Sequence, residues 1–176
     1  MEHQSRITLF QGDITKADVD AIVNAANSTL LGGGGLDGAI HRAAGPDLLK
    51  ACMELKGCNT GESIMTDGFA LSSKYIFHTV GPVWENGNNN EDFLLTKCYE
   101  TSLQLALDYH SQTIAFPNIS TGAYGFPKER AANIAIQTVS KFLEEHSELS
   151  ELRFICFDDE NLDIYSELLD LSKDPS

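Results

Sequence analysis

Four consecutive glycines, Gly32 to Gly35, are followed after one leucine by an acid, Asp37, in the stretch LLGGGGLDGAIHRAAG. Residues without a Cβ let backbone N–H groups approach an anion closely, so such a run suits a phosphate. A carboxylate beside a phosphate costs Coulomb energy. Either no phosphate binds there or Asp37 has work that outweighs the repulsion. A second run of small residues, NISTGAYGFP from Asn118 to Pro127, offers backbone amides in the same way. Two such loops on one rim suit two adjacent phosphates better than one. The plain alternative is that the glycines only make tight turns.

Other chemistries fit less well. Gly33, Gly35 and Gly38 match the G-x-G-x-x-G dinucleotide pattern. That pattern belongs after the first strand of a βαβ unit, with an acid ending the next strand about 20 residues on. Glu54 stands near that distance but lies in PDLLKACMELKG, which reads as helix. A phosphate-binding loop of the G-x-x-x-x-G-K-[ST] kind is absent, since Ala39 and Ile40 follow Gly38. Cys52, Cys58, Cys98 and Cys156 form no C-x-x-C pair and read as reduced structural thiols. The acidic FDDENLD lacks calcium-loop spacing and reads as a helix start. His41 lies one helical turn after Asp37, but no Ser or Cys nucleophile accompanies it, so a packing or hydrogen-bonding role is expected. His78, inside YIFHTV, reads as a core histidine with its hydrogen bonds satisfied.

These residues need elements to position them. The apolar runs RITLF, DAIVNAA, YIFHTV, TIAFP and LRFICF predict largely buried strands, with ESIMT a weaker candidate. Between them, EDFLLTKCYETSLQLALDYH and PKERAANIAIQTVSKFLEEH each carry one apolar face at helical spacing. Pro46 and Pro127 are predicted at first helical positions, and Asp158 or Asp159 as cap of a last helix. Alternating strands and helices imply a mainly parallel sheet covered on both faces. In such a sheet ligands bind outside the carboxyl ends of the strands, where both glycine loops fall. At 176 residues and 42% hydrophobic composition, one domain spanning 1–176 is expected. The formal net charge of −14 works against non-specific binding to nucleic acid or anionic membranes. MEHQSRITLF has no secretory pattern and no apolar run reaches spanning length, so a cytoplasmic location is expected.

GDIT (Gly12 to Thr15), VDAIVNAAN (Val19 to Asn27), LLGGGGLDGAIHRAAG, HTVGP (His78 to Pro82) and ISTGAYGFP, in this order and spacing, resemble the macrodomain family. The likeness is strongest to its MacroD-type branch, which includes bacterial O-acetyl-ADP-ribose deacetylases. It spans Ile7 to Leu169. Leu36, Ala123 and Phe126 stand where the family more often shows Val, Val and Tyr, departures expected to alter pocket shape.

The resemblance implies an α/β fold: a three-layer α/β/α sandwich with a mixed, mainly parallel central sheet and a core of about 7–169. It implies ADP-ribose in a cleft across the strand ends, with no cofactor and no metal. Asp13 would accept from the adenine amino group beside the Ile14 backbone, and Phe157 would stack on adenine. From the residues alone, Asp13 also reads as a helix cap and Phe157 as a core aromatic. The diphosphate would lie between Gly33, Gly34 and Gly35 on one side and Ser120, Thr121, Gly122, Ala123 and Tyr124 on the other, with Tyr124 against the distal ribose. Asn27 would position that ribose and Asp37 would orient or deprotonate an attacking water. Asn24 is placed with the ligand-binding residues; for both asparagines the alternative is service to loop backbone, which suits Asn24 better than Asn27. Asp37 as helix cap is the corresponding alternative there. The implied activity is removal of ester-linked groups from the distal ribose. Its substrates would be O-acetyl-ADP-ribose, proteins mono-ADP-ribosylated on Asp or Glu, or both. A non-catalytic ADP-ribose reader is the second reading.

Overall fold

Every apolar run read as a strand is a strand in the computed structural model, which describes residues 5–173 and the side chains of 5–170. The strands are β1 (Ile7–Gln11), β2 (Ala21–Ala25), β3 (Ser63–Asp67), β4 (Tyr75–Thr79), β5 (Thr113–Phe116) and β6 (Glu151–Cys156). The weaker candidate ESIMT becomes β3, at the sheet's edge. The helices are α1 (Gly35–Ala44), α2 (Pro46–Leu55), α3 (Glu91–Asp108), α4 (Lys128–Glu145) and α5 (Asp159–Lys173), with a short 3-10 helix at Ile14–Lys16.

Pro46 is the first residue of α2, where its missing N–H costs nothing. Pro127 is not the first helical residue of α4; with ψ at 126° it stays extended and precedes the helix by one position. Asp158 caps α5: its Oδ1 accepts the Asn161 N–H at 2.7 Å.

The sheet runs β1-β6-β5-β2-β4-β3, with every pairing parallel except that of β3 with β4. One face carries Ala21, Val23, Phe77, Phe116 and Phe154 into a core with α3, α4 and α5. The other carries Ile22, Ile76, Ala115 and Ile155 into a core with α1 and α2. Alternation along the strands therefore puts Asn24 and His78, two residues beyond Ile22 and Ile76, on the α1–α2 side. Each fully buried Leu, Ile or Phe side chain contributes roughly 1.5–3 kcal/mol, so both layers hold the sheet rigidly. Loops from the carboxyl ends of β1, β2, β4, β5 and β6 meet along one edge.

Candidate functional site

The loop after β2 ends on the N-terminus of α1. Gly34 precedes the helix in extended conformation and offers no side-chain cap, so N–H groups of the first turn are left without an intrahelical or side-chain acceptor. They carry the positive end of the helix dipole. A Cβ on Gly38 would lie 2.4 Å from the Gly33 carbonyl oxygen, so this glycine lets the loop lie directly on the helix.

The loop after β5 is closed by hydrogen bonds from the Phe126 N–H to the Ser120 carbonyl (2.9 Å) and from Gly125 N–H to the Gly122 carbonyl (3.0 Å). Phe126 does not reach the cleft: it is buried, its ring 4.8 Å from that of Trp84. The Trp84 N–H in turn donates to the Tyr124 carbonyl at 2.8 Å, fixing the loop from behind. Gly81, of the HTVGP motif, lets this loop close on the end of β4, because a Cβ there would meet Ser120 Oγ at 2.2 Å.

Between the loops lie two cavities of about 460 and 500 Å³, each within the range of ligand pockets. Gly35, Leu36, Asn118 and Gly122 line both, so the α1 N-terminus and the Gly122 loop form a waist in one elongated cleft. The first cavity is lined by Asn27, Gly33, Gly34, Asp37, Ser120, Ala123 and Tyr124, the second by Asp13, Ile14, Thr121 and Phe157. The structure thus brings all the sequence-predicted site residues to the cleft except Asn24, which has no solvent exposure and lines neither cavity. Asn118, Gly81 and Arg42 line the cleft and were not anticipated. All three stand inside quoted motifs, Arg42 two turns into α1 within LLGGGGLDGAIHRAAG, so a signal was available.

At the second cavity Asp13 caps the 3-10 helix, its Oδ1 accepting from Thr15 Oγ1 (2.6 Å) and Thr15 N–H (2.9 Å). The Thr15 hydroxyl, aided by that N–H and Lys16 against desolvation, holds the Asp13 carboxyl below its ordinary value. Phe157 is no core aromatic: it is 86% exposed at the end of β6, an apolar ring presented to the cavity.

At the first cavity Asn27 serves loop backbone and more. Its Oδ1 accepts from Thr29 Oγ1 and Leu30 N–H, and its Nδ2 donates to the Gly32 carbonyl at 2.8 Å. One N–H of that amide remains, since an amide nitrogen carries two donors. Asp37, 6% exposed in the first turn of α1, caps nothing. Its Oδ1 accepts from Asn24 Nδ2 at 2.9 Å, with His41 Nε2 at 3.5 Å. Its Oδ2 is buried and has no hydrogen-bond partner among the described residues. Both Asn27 Nδ2 and Asp37 Oδ2 converge on Gly33, 3.5 and 3.8 Å from where its Cβ would be. His41 packs its ring beneath Gly32.

None of the cysteines lines either cavity. The four cysteines are free, and burial pushes the thiols of Cys52, Cys58 and Cys98 up to about 11. Among the described residues no cluster of His, Cys, Asp or Glu is arranged to hold a metal ion, and no helix is long and apolar enough to cross a membrane.

The chain is thus an α/β/α sandwich whose cleft has a glycine-rich waist between two cavities. The Macro domain family model matches residues 23–135, and the chain belongs to that family. A Macro domain-containing protein of Methanosarcina mazei is 60% identical over 152 residues, covering 86% of this chain and 81% of that protein. A protein of Escherichia fergusonii named O-acetyl-ADP-ribose deacetylase is 52% identical over 170 residues, covering 94% of this chain and 96% of its own. The Trypanosoma brucei macrodomain in complex with ADP-ribose superposes with a TM-score of 0.89 at 45% identity, covering 93% of this chain and 69% of that one.

Proposed function

We propose that this chain, acting as one domain, hydrolyses esters on the distal ribose of ADP-ribose: O-acetyl-ADP-ribose, and ADP-ribose linked to protein Asp or Glu side chains. The observation that carries the reading is the uncommitted Oδ2 of Asp37 beside the spare N–H of Asn27, both over Gly33. A buried carboxylate oxygen without a partner is costly, and a bound water or ligand hydroxyl would satisfy it. The deacetylase name of the Escherichia fergusonii relative supports the small-ester substrate.

In this reading adenine lies on Phe157 with its amino group toward Asp13, and the diphosphate sits on the α1 N-terminus and the Ser120–Tyr124 loop. Asn27 holds the distal ribose, and Asp37 orients a water and draws off its proton as the oxygen attacks the ester carbonyl carbon. The carbonyl–ribose oxygen bond then breaks, the ribose oxygen takes up a proton, and the carboxylic acid departs. Free thiols favour a reducing compartment, which fits cytoplasmic action.

The test is single-turnover hydrolysis of both esters by wild type and Asp37→Ala, alongside ADP-ribose affinity by calorimetry. Loss of acid–base assistance predicts a rate reduced by roughly 10²–10⁴-fold. Affinity should change far less, because removing the carboxylate also relieves repulsion toward the diphosphate. Equal rates would remove Asp37 from the reaction. Tight binding by wild type without turnover of either ester would make the domain a reader instead.

A further inference from the structure

Asn24, expected among the ligand-binding residues, is buried and lines neither cavity. Its Nδ2 lies 2.9 Å from Asp37 Oδ1 and 3.1 Å from His78 Nδ1, and His78 Nε2 lies 2.8 Å from Thr66 Oγ1. All three residues are buried, and they reach Asp37 from three neighbouring strands. The proton positions in this chain follow from which groups can donate. An ionised carboxylate only accepts, so the Asn24 atom facing Asp37 is the amide nitrogen. Its second N–H points to His78 Nδ1, which must therefore be a lone pair. His78 then carries its proton on Nε2 and donates it to Thr66. The carboxylate thereby fixes the amide's orientation, the amide fixes the histidine tautomer, and the Thr66 hydroxyl, which can donate or accept, closes the chain as acceptor of the Nε2 proton.

We infer that Thr66 and His78 are positioning residues for the proposed hydrolysis, acting through Asn24 to hold Asp37 Oδ1 so that Oδ2 faces the reacting water. This inference rests on the hydrolase reading above. None of the three residues lines the cleft, so each acts only through Asp37. Without the Thr66 hydroxyl, the buried Nε2–H has no acceptor, which favours the proton on Nδ1 instead. That N–H would oppose the Asn24 amide N–H, and the Asn24 side chain would have to turn its oxygen toward His78. Asp37 would then lose its donor.

Thr66→Val keeps the shape of the side chain and removes the acceptor; Thr66→Ser keeps the acceptor. Thr66→Val should slow single-turnover ester hydrolysis by at least tenfold, approaching the roughly 100-fold cost of an ångström's misplacement. ADP-ribose affinity should stay within about twofold of wild type, since the nucleotide contacts are untouched. Thr66→Ser should restore the rate. Equal rates in wild type and Thr66→Val overturn the inference. So does a parallel loss of rate and affinity that Thr66→Ser leaves unrepaired, which would mark a merely structural hydroxyl.

Two spectroscopic readouts stand apart from activity. In wild type, ¹⁵N shifts should show His78 protonated on Nε2 and bare on Nδ1; the reverse tautomer overturns the relay. The Asp37 ¹³Cγ shift should move in Thr66→Val and return in Thr66→Ser. If wild type turns over neither ester, the functional reading fails on its own, and this ¹³Cγ comparison still decides whether Thr66 governs the Asp37 carboxylate.

Discussion

Acid should destabilise this protein through His78 in a way that can be calculated in advance. The imidazole is fully buried, with one ring nitrogen facing the Asn24 amide and the other the Thr66 hydroxyl. Burial, reinforced by nearby His41, pushes its pKa down from 6.5 to about 3. The native state therefore prefers the neutral ring, whereas the unfolded chain takes up a proton below about 6.5. Stability from this residue is complete above the unfolded value and falls with pH down to the folded one. At pH 4.5 the unfolded ring is about two units past its pKa and the native ring still neutral, a loss of about 2.7 kcal/mol at 1.36 kcal/mol per unit. Because pH 4.5 lies well above the folded pKa, that figure hardly depends on where the folded value falls. Urea unfolding of wild type and His78→Gln at pH 7.5 and 4.5 isolates the term, since the remaining acidic groups contribute to both proteins. Wild type should lose about 2.7 kcal/mol more than the variant between the two conditions. Equal losses would refute the argument, as would His78 ring signals that titrate above pH 4.5 in the folded protein.

Three further outcomes follow from the same geometry. Phe157→Ala should leave stability within about 0.5 kcal/mol, because the ring is 86% exposed, yet weaken ADP-ribose by the roughly 1–3 kcal/mol of a lost base stack; calorimetry beside urea unfolding reads both. Gly38→Ala, which in an ordinary helix would stabilise by up to about 1 kcal/mol, should destabilise by about 1–3 kcal/mol and weaken ligand binding, since its Cβ meets the Gly33 carbonyl at 2.4 Å; a more stable variant would show that the loop yields freely. Glu91 accepts the Glu85, Gly87 and Asn89 N–H groups; desolvation raises its pKa, but those donors outweigh it and hold the carboxyl below 4.5, so its stabilisation is lost as pH falls below that value. Glu91→Gln should accordingly flatten the acid limb of the unfolding profile, and an unchanged limb would exclude the loop as its source.

Much of this architecture is local and so was legible in the residues. Branched and aromatic runs marked the strands, apolar spacing marked the helices, and the two small-residue loops fell where a parallel sheet binds ligands. The motif order carried the family. Pro127 shows the limit of local reading, because whether a proline begins a helix or precedes it depends on how the loop behind it is held, here by Trp84 and Phe126. Phe157 shows another: an aromatic at a strand end is core or contact surface according to what covers it, and none of the described residues covers this one. The two asparagines of VDAIVNAAN divided their work by position. Asn27, just past the strand, turns to the cleft, while Asn24, inside it, is sealed beneath α1. The pairing of Asn24 with His78 spans 54 positions and comes from the register of β2 against β4, and Thr66 joins through β3. Residue types and short spacings therefore determined the two small-residue loops and the acid behind the first of them. Register and burial, which depend on contacts far apart in the chain, decided which groups stand around Asp37, because hydrogen-bond partners and dielectric exist only once the strands have met.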